Sequence, residues 1–86
     1  MSTSALEYPR AVDLWFDDEM LVVRLEDGRE LRVPVGWYPS LRDATTEQRQ
    51  RWELIGGGAG MHWPELDEDL SIRGMLAPRR RDPRVV

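Results

Sequence analysis

There is no cysteine in the 86 residues, so neither a disulfide nor a thiolate metal site can brace the fold. Lysine is missing too, and all twelve basic residues are arginine. A single histidine is present, which removes every metal centre that needs two imidazoles. No run approaches the ~20 apolar residues of a membrane-spanning helix. The N-terminus lacks a basic segment leading into an apolar one, so no secretory signal is expected. Together these absences predict a soluble, cytoplasmic protein with no membrane partner and no cofactor. A chain this short buries only about 60–65% of the surface its unfolded form exposes. Support from a partner protein or a second copy is therefore expected.

The charges are unevenly placed. Residues 1–78 carry fifteen acids against eight Arg, a net of −7, and residues 79–86 carry four Arg against Asp82, a net of +3. An acidic body argues against a nucleic-acid face, which needs concentrated positive charge. Only the Arg-rich tail offers such a contact.

Periodicity gives the first half. After a loose leader over residues 1–8, Val12, Leu14 and Phe16 alternate with Asp13, Trp15 and Asp17, as in a half-buried strand. Asp17-Asp18-Glu19 makes a turn. Leu21, Val23 and Leu25 then alternate with Val22, Arg24 and Glu26, and Leu31, Val33 and Val35 continue the pattern beyond Asp27-Gly28. A three-stranded antiparallel meander follows, with registers set by parity. Pairing Phe16 with Leu21 aligns Leu14 with Val23. A two-residue Asp27-Gly28 loop would put Glu30 opposite Leu25, an acid on the apolar face. A three-residue Glu26-Asp27-Gly28 loop instead aligns Val23 with Leu31 and puts Gly28 where a left-handed residue is required.

The second half is expected to cover the apolar sheet face. Trp37-Tyr38-Pro39-Ser40-Leu41 leads into a short helical turn. Thr45 and Gln48 form a capping box for a helix from Thr46 to about Leu54, with Trp52 in the core and Ile55 on the same face. The run Gly56-Gly57-Gly58-Ala59-Gly60 stops that helix as a flexible connector. Met61-His62-Trp63 is extended, because the residue before Pro64 avoids helix. Asp67-Glu68-Asp69 reads as a turn whose acids favour the start of a last helix. That helix, Ile72 to Ala77, begins after Ser71 and ends at Pro78. The fold class is α+β: an N-terminal three-stranded antiparallel β-meander packed against short C-terminal helices, in one domain over residues 1–78 with a disordered tail at 79–86.

The stretch from Met61 to Ile72 invites a catalytic reading, with the sole His, a Trp and three consecutive acids. A metal needs three or four converging ligands, and counting from Asp67 puts Ile72 where a calcium loop requires Gly. The glycine run is followed by Met61-His62 rather than the Lys-Ser/Thr of a phosphate loop. Ser40 and Ser71 lack a nucleophile elbow. No metal and no catalytic residue are assigned. Trp15 stands apart from the other Trp, because parity turns it away from Leu14 and Phe16.

The linear pattern resembles a known family. The matching segments are Asp27-Gly28-Arg29, Pro39-Ser40-Leu41, Ala44-Thr45-Thr46-Glu47-Gln48-Arg49, Ile55-Gly56, Gly60 to Pro64, and most specifically His62-Trp63-Pro64-Glu65-Leu66-Asp67-Glu68-Asp69-Leu70-Ser71-Ile72. Together, over roughly Ala11 to Leu76, they resemble domain of unknown function 2442, a family of small bacterial proteins. The resemblance implies an antiparallel sheet followed by short helices. It also implies a place beside a second small protein, domain of unknown function 4160, as the antitoxin of a proposed toxin–antitoxin pair. Some relatives add a DNA-binding helix-turn-helix, of which the residues after Leu76 show no sign.

The expected function is thus that of a non-enzymatic protein-binding, antitoxin-like module. The partner would be a small basic protein encoded alongside, since complementary potential guides encounter. The expected contact residues are Trp15, Trp37, Tyr38, His62, Trp63, Asp67, Glu68 and Asp69. Two alternatives are a homo-oligomeric scaffold joined through the last helix, and a small ligand-binding domain or enzyme using His62 and its neighbouring carboxylates.

Overall fold

The computed structural model describes residues 8–78. The leader apart from Tyr8, and the Arg-rich tail from Arg79 on, lie outside the described residues. Three strands open the chain: β1 (Ala11–Asp17), β2 (Met20–Leu25) and β3 (Glu30–Pro34), antiparallel in the order β1-β2-β3. Both hairpin registers follow from parity: Phe16 faces Leu21, Leu14 faces Val23, and Val23 faces Leu31. The Leu25 N–H donates to the Arg29 carbonyl at 2.8 Å, closing the three-residue loop, and Gly28 has φ +95°. The tighter turn between β1 and β2 uses Asp18 at φ +56°, a conformation that Asp tolerates through local side-chain hydrogen bonding.

One position departs from simple alternation. The register shifts between Ala11 and Asp13, so Val12 is the extra residue of a β-bulge. Ala11 and Leu14 are buried, and Val12, expected inward with Leu14, is 50% exposed.

The larger departure is the cover. The first sheet shares its core with a second three-stranded antiparallel sheet, β4 (Glu53–Ile55), β5 (Gly60–Trp63) and β6 (Glu68–Ser71), in the order β4-β5-β6. Short helices complete the cover: α1 (Pro39–Arg42), α2 (Thr46–Gln50) and α3 (Ile72–Leu76). The Thr45–Gln48 capping box forms in both directions, at 3.1 and 2.9 Å. However, α2 stops at Gln50 instead of reaching Leu54. An isolated helix of about nine residues is marginal in water, whereas Glu53–Ile55 gains a ladder against β5 and is rich enough in apolar bulk to suit a strand. The expected turn at Asp67-Glu68-Asp69 shrinks to Asp67, at φ +52°, after a 3-10 turn over Pro64–Leu66. Glu68 and Asp69 are strand. Ser71 caps α3, its hydroxyl accepting from the Gly74 N–H at 2.9 Å.

One core joins everything. Leu14, Leu21, Val23, Leu25 and Val33 from the first sheet meet Met61, Trp63 and Leu70 from the second, with Leu41 of α1 and Ile72 and Met75 of α3. Trp52 packs partly buried against the cluster. Trp63 has no exposed surface, and the Phe16 ring meets it edge-on with centroids 6.5 Å apart. The glycine run docks the two sheets together. The Arg10 guanidinium donates to the Gly56 carbonyl at 2.9 Å, and Gly58 lies against the backbone of Ala11. It is a fitted joint between β4 and β5, not a loose connector after a helix.

Candidate functional site

The outer face of the second sheet collects the chemistry. In β5, Met61 and Trp63 point into the core, so Gly60 and His62 face outward by the period of two. The pairing then builds two cross-strand rows: Glu53–His62–Asp69, and Ile55–Gly60–Ser71. The His62 Nδ1 is hydrogen-bonded to the Asp69 carboxylate. The His62 side chain is 27% exposed and Asp69 is 67% exposed, so the pair sits at the water boundary. That hydrogen bond raises the His62 pKa above its ordinary 6.5, partial desolvation opposes the rise, and the Asp69 and Glu53 charges add to it.

The direction of that shift fixes the pH dependence. A protonated His62 is favoured by the fold, so its stabilisation is complete below the unfolded value near 6.5. It fades as pH climbs through the native value. Because His62 is the only histidine, its ring protons give one resolvable NMR titration. The midpoint is expected above 6.5 and should fall back toward it in Asp69→Asn. A wild-type midpoint at or below 6.5 would contradict the pairing.

The expected contact residues are dispersed. Tyr38 and Asp69 meet at a small cavity with Leu70, Ser71, Gly74 and Met75. Trp37 is 38% exposed on the 3-10 turn after β3. Asp67 is exposed on the turn before β6. Glu68 is on the inner side, half-buried, and accepts a hydrogen bond from the Ser40 hydroxyl. Trp63 is the clear departure: it is fully buried, and its indole N–H donates to the Arg49 carbonyl at 3.1 Å. It can contact no partner without unfolding. Trp15 lies on the outer face of the first sheet, half-buried over Val22, with the Arg24 guanidinium 5.1 Å from its ring centroid.

Glu53 and Ile55 also belong to this outer face, with buried Gly60 between the strands' side chains, and Leu54 is exposed at the same edge on the other face; the sequence alone does not anticipate them. Leu54 is 38% and Ile55 40% exposed on edge strand β4. A signal was present: Met61-His62-Trp63 and Leu70-Ser71-Ile72 are two short extended patterns with turn residues between them, which a third strand would complete. A shallow groove is lined by Ile55, Gly60, Asp69, Leu70 and Ser71. Among the described residues, no group of three or more His, Asp or Glu converges well enough to hold a metal ion. No helix among them is long and apolar enough to cross a membrane.

Two small antiparallel meanders around one core, with short capped helices at their junctions, define a compact α+β class. Within that class the chain belongs to the family described as protein of unknown function DUF2442, whose model matches residues 11–81. It is similar to a protein of unknown function from Rhodospirillum rubrum solved by crystallography. That likeness has 33% identity and a TM-score of 0.70, covering 81% of this chain and 87% of the other. It is also similar to an uncharacterized protein from Chromobacterium violaceum solved by NMR, with 26% identity and a TM-score of 0.71 over 90% of this chain and 72% of that one. No curated protein matches.

Proposed function

We infer that this chain is a non-enzymatic protein-binding module whose partner is basic. The observation that carries this reading is the second sheet's outer face, where exposed Ile55 adjoins Glu53 and Asp69, with Leu54 exposed at the same strand's edge but turned to the other face. Apolar area next to a net acidic row suits a cationic partner, since apolar contacts supply affinity and charge supplies orientation. The arginines do not offset it. Among the described residues, five are in ion pairs, with Glu30, Asp27, Asp17, Asp43 and Glu65. Arg10 and Arg49 donate to main-chain carbonyls, and the eighth described arginine, Arg73, lies on α3 at a separate cavity lined also by Tyr8, Arg10 and Glu26.

Asp67, on the turn before β6, and Tyr38, at the small cavity shared with Asp69, border the same surface, whereas Trp37 and Trp15 lie apart from it. The finer role on this reading is the antitoxin-like member of a bacterial toxin–antitoxin pair in the cytoplasm, which the acidic body suits. Self-association through α3 has less support, because Ile72 and Met75 are spent on the core and only Leu76 of its apolar residues faces out, at 45% exposure. Co-expression with the product of the neighbouring reading frame, followed by size-exclusion chromatography, tests the function. One co-eluting complex, weakened by added salt, is expected. Separate elution of two folded proteins would overturn the partnership.

A further inference from the structure

We propose that the free edge of β4 receives an extended basic segment of the partner as an added antiparallel strand, with one cationic side chain lying along the groove between Ile55 and Asp69. This deepens the protein-binding reading and rests on it.

Four observations converge. First, β4 is an edge strand: β5 lies on one side, and among the described residues no strand pairs with the other. Alternate residues of an antiparallel strand turn their N–H and C=O groups away from the neighbour, so this edge presents unpaired backbone, a template for another chain. Second, all three residues of β4 are exposed. Natural edges are often blunted by inward charge or a covering element; here Leu54 and Ile55 are left open. Third, Ile55, Gly60, Asp69 and Ser71 line a shallow groove, in which the Ile55 side chain leans on Gly60: a Cβ on Gly60 would meet the Leu70 carbonyl oxygen at 2.7 Å and Ile55 Cγ1 at 3.3 Å. Its walls are apolar and its rim carries Asp69. That shape suits an Arg or Lys, whose aliphatic stem packs while its charged head stays at the wet rim. Fourth, the acids Glu53 and Asp69 flank the groove across the sheet.

Charge also selects the occupant. A second copy adding β4 to β4 about a two-fold axis would set both acidic outer faces side by side, and like charges across adjacent strands are destabilising. A basic strand meets the opposite situation. The edge is only three residues long, so main-chain bonds alone would bind weakly, and the cationic side chain supplies the selectivity.

The test uses the full chain, ¹⁵N-labelled, titrated with a capped peptide of alternating Arg and Val and with its Glu–Val counterpart. Amide shifts over Trp52–Gly56, Gly60 and Asp69–Ser71 are expected with the Arg peptide alone. They should weaken about tenfold or more in Ile55→Arg and in Asp69→Asn, and as salt is raised. Both substitutions are at exposed positions, and an unchanged amide spectrum elsewhere verifies folding. Shifts centred on Trp15 and Arg24, or equal response to both peptides, would overturn the β4 site. So would a sedimenting dimer abolished by Ile55→Arg. If the co-expressed partner still binds Ile55→Arg with full affinity, the placement fails while the protein-binding function stands. If the wild-type chain captures no partner, the function itself fails.

Discussion

Trp63→Ala is expected to abolish cooperative folding, or to bring the melting temperature down by roughly 15–30 °C. The indole is fully buried between the two sheets. Its loss removes the edge-on contact with Phe16 and the hydrogen bond to the Arg49 carbonyl. Truncating a buried Trp costs about 3–5 kcal/mol. A domain of this size has a total stability of roughly 4–13 kcal/mol. The loss is thus a large share of the whole, and Arg49 gains a stranded carbonyl besides. Thermal unfolding followed by near-ultraviolet circular dichroism measures it. Trp15→Ala is the control: it strips the cover from Val22 and the stacking partner from Arg24, at a cost of about 1–2 kcal/mol. Equal losses in the two variants would contradict the assignment of Trp63 to the core and of Trp15 to the outer face.

Gly58→Ala is expected to cost about 2–5 kcal/mol, a sum of backbone strain and forced displacement. Gly58 has φ +105°, and an added Cβ would come within 2.6 Å of the Ala11 carbonyl oxygen and 2.9 Å of the Arg10 Cβ. The first of these is backbone and cannot swing away. Relief would require β1 to part from the joint between β4 and β5, undoing the Arg10–Gly56 hydrogen bond. Gly28 separates the two contributions, because it has φ +95° and nothing lies within 4 Å of where a Cβ would stand. Gly28→Ala should therefore show only the conformational cost, about 1–2 kcal/mol. Urea denaturation of both variants provides the comparison. A Gly58 variant no worse than the Gly28 variant would mean that the glycine run does not hold the sheets together.

The two glycines also show how far the sequence could be read. Gly28 was legible because loop length and side-chain parity are coupled: only a three-residue loop keeps Leu25 away from Glu30. The same coupling accounts for every register of the first sheet except at Val12, where a bulge inserts one residue and no alternation rule applies. Gly58 was not legible, since its neighbour is Arg10, far away in sequence. The second sheet escaped for a related reason. Arg51 to Ile55 follows a well-capped helix start, and local propensity alone continues the helix; the pairing with β5 that ends it is a tertiary effect. Composition alone misplaces Trp63. Aromatic enrichment at interfaces suggested contact, whereas the alternation of Met61 and Trp63 against His62 already put the indole inward. The sequence shows His62 and Asp69 as neighbours in chemistry, but their row with Glu53 depends on β4.

The central claim is that the partner docks on the outer face and free edge of the second sheet. Hydrogen–deuterium exchange of the full chain, alone and with the co-expressed neighbouring gene product, tests it most directly. Added protection should fall on Trp52–Gly56 and Asp67–Ser71 and leave Trp15 to Arg24 unchanged. Protection over β1 and β2 instead, or none anywhere in the chain, would contradict it.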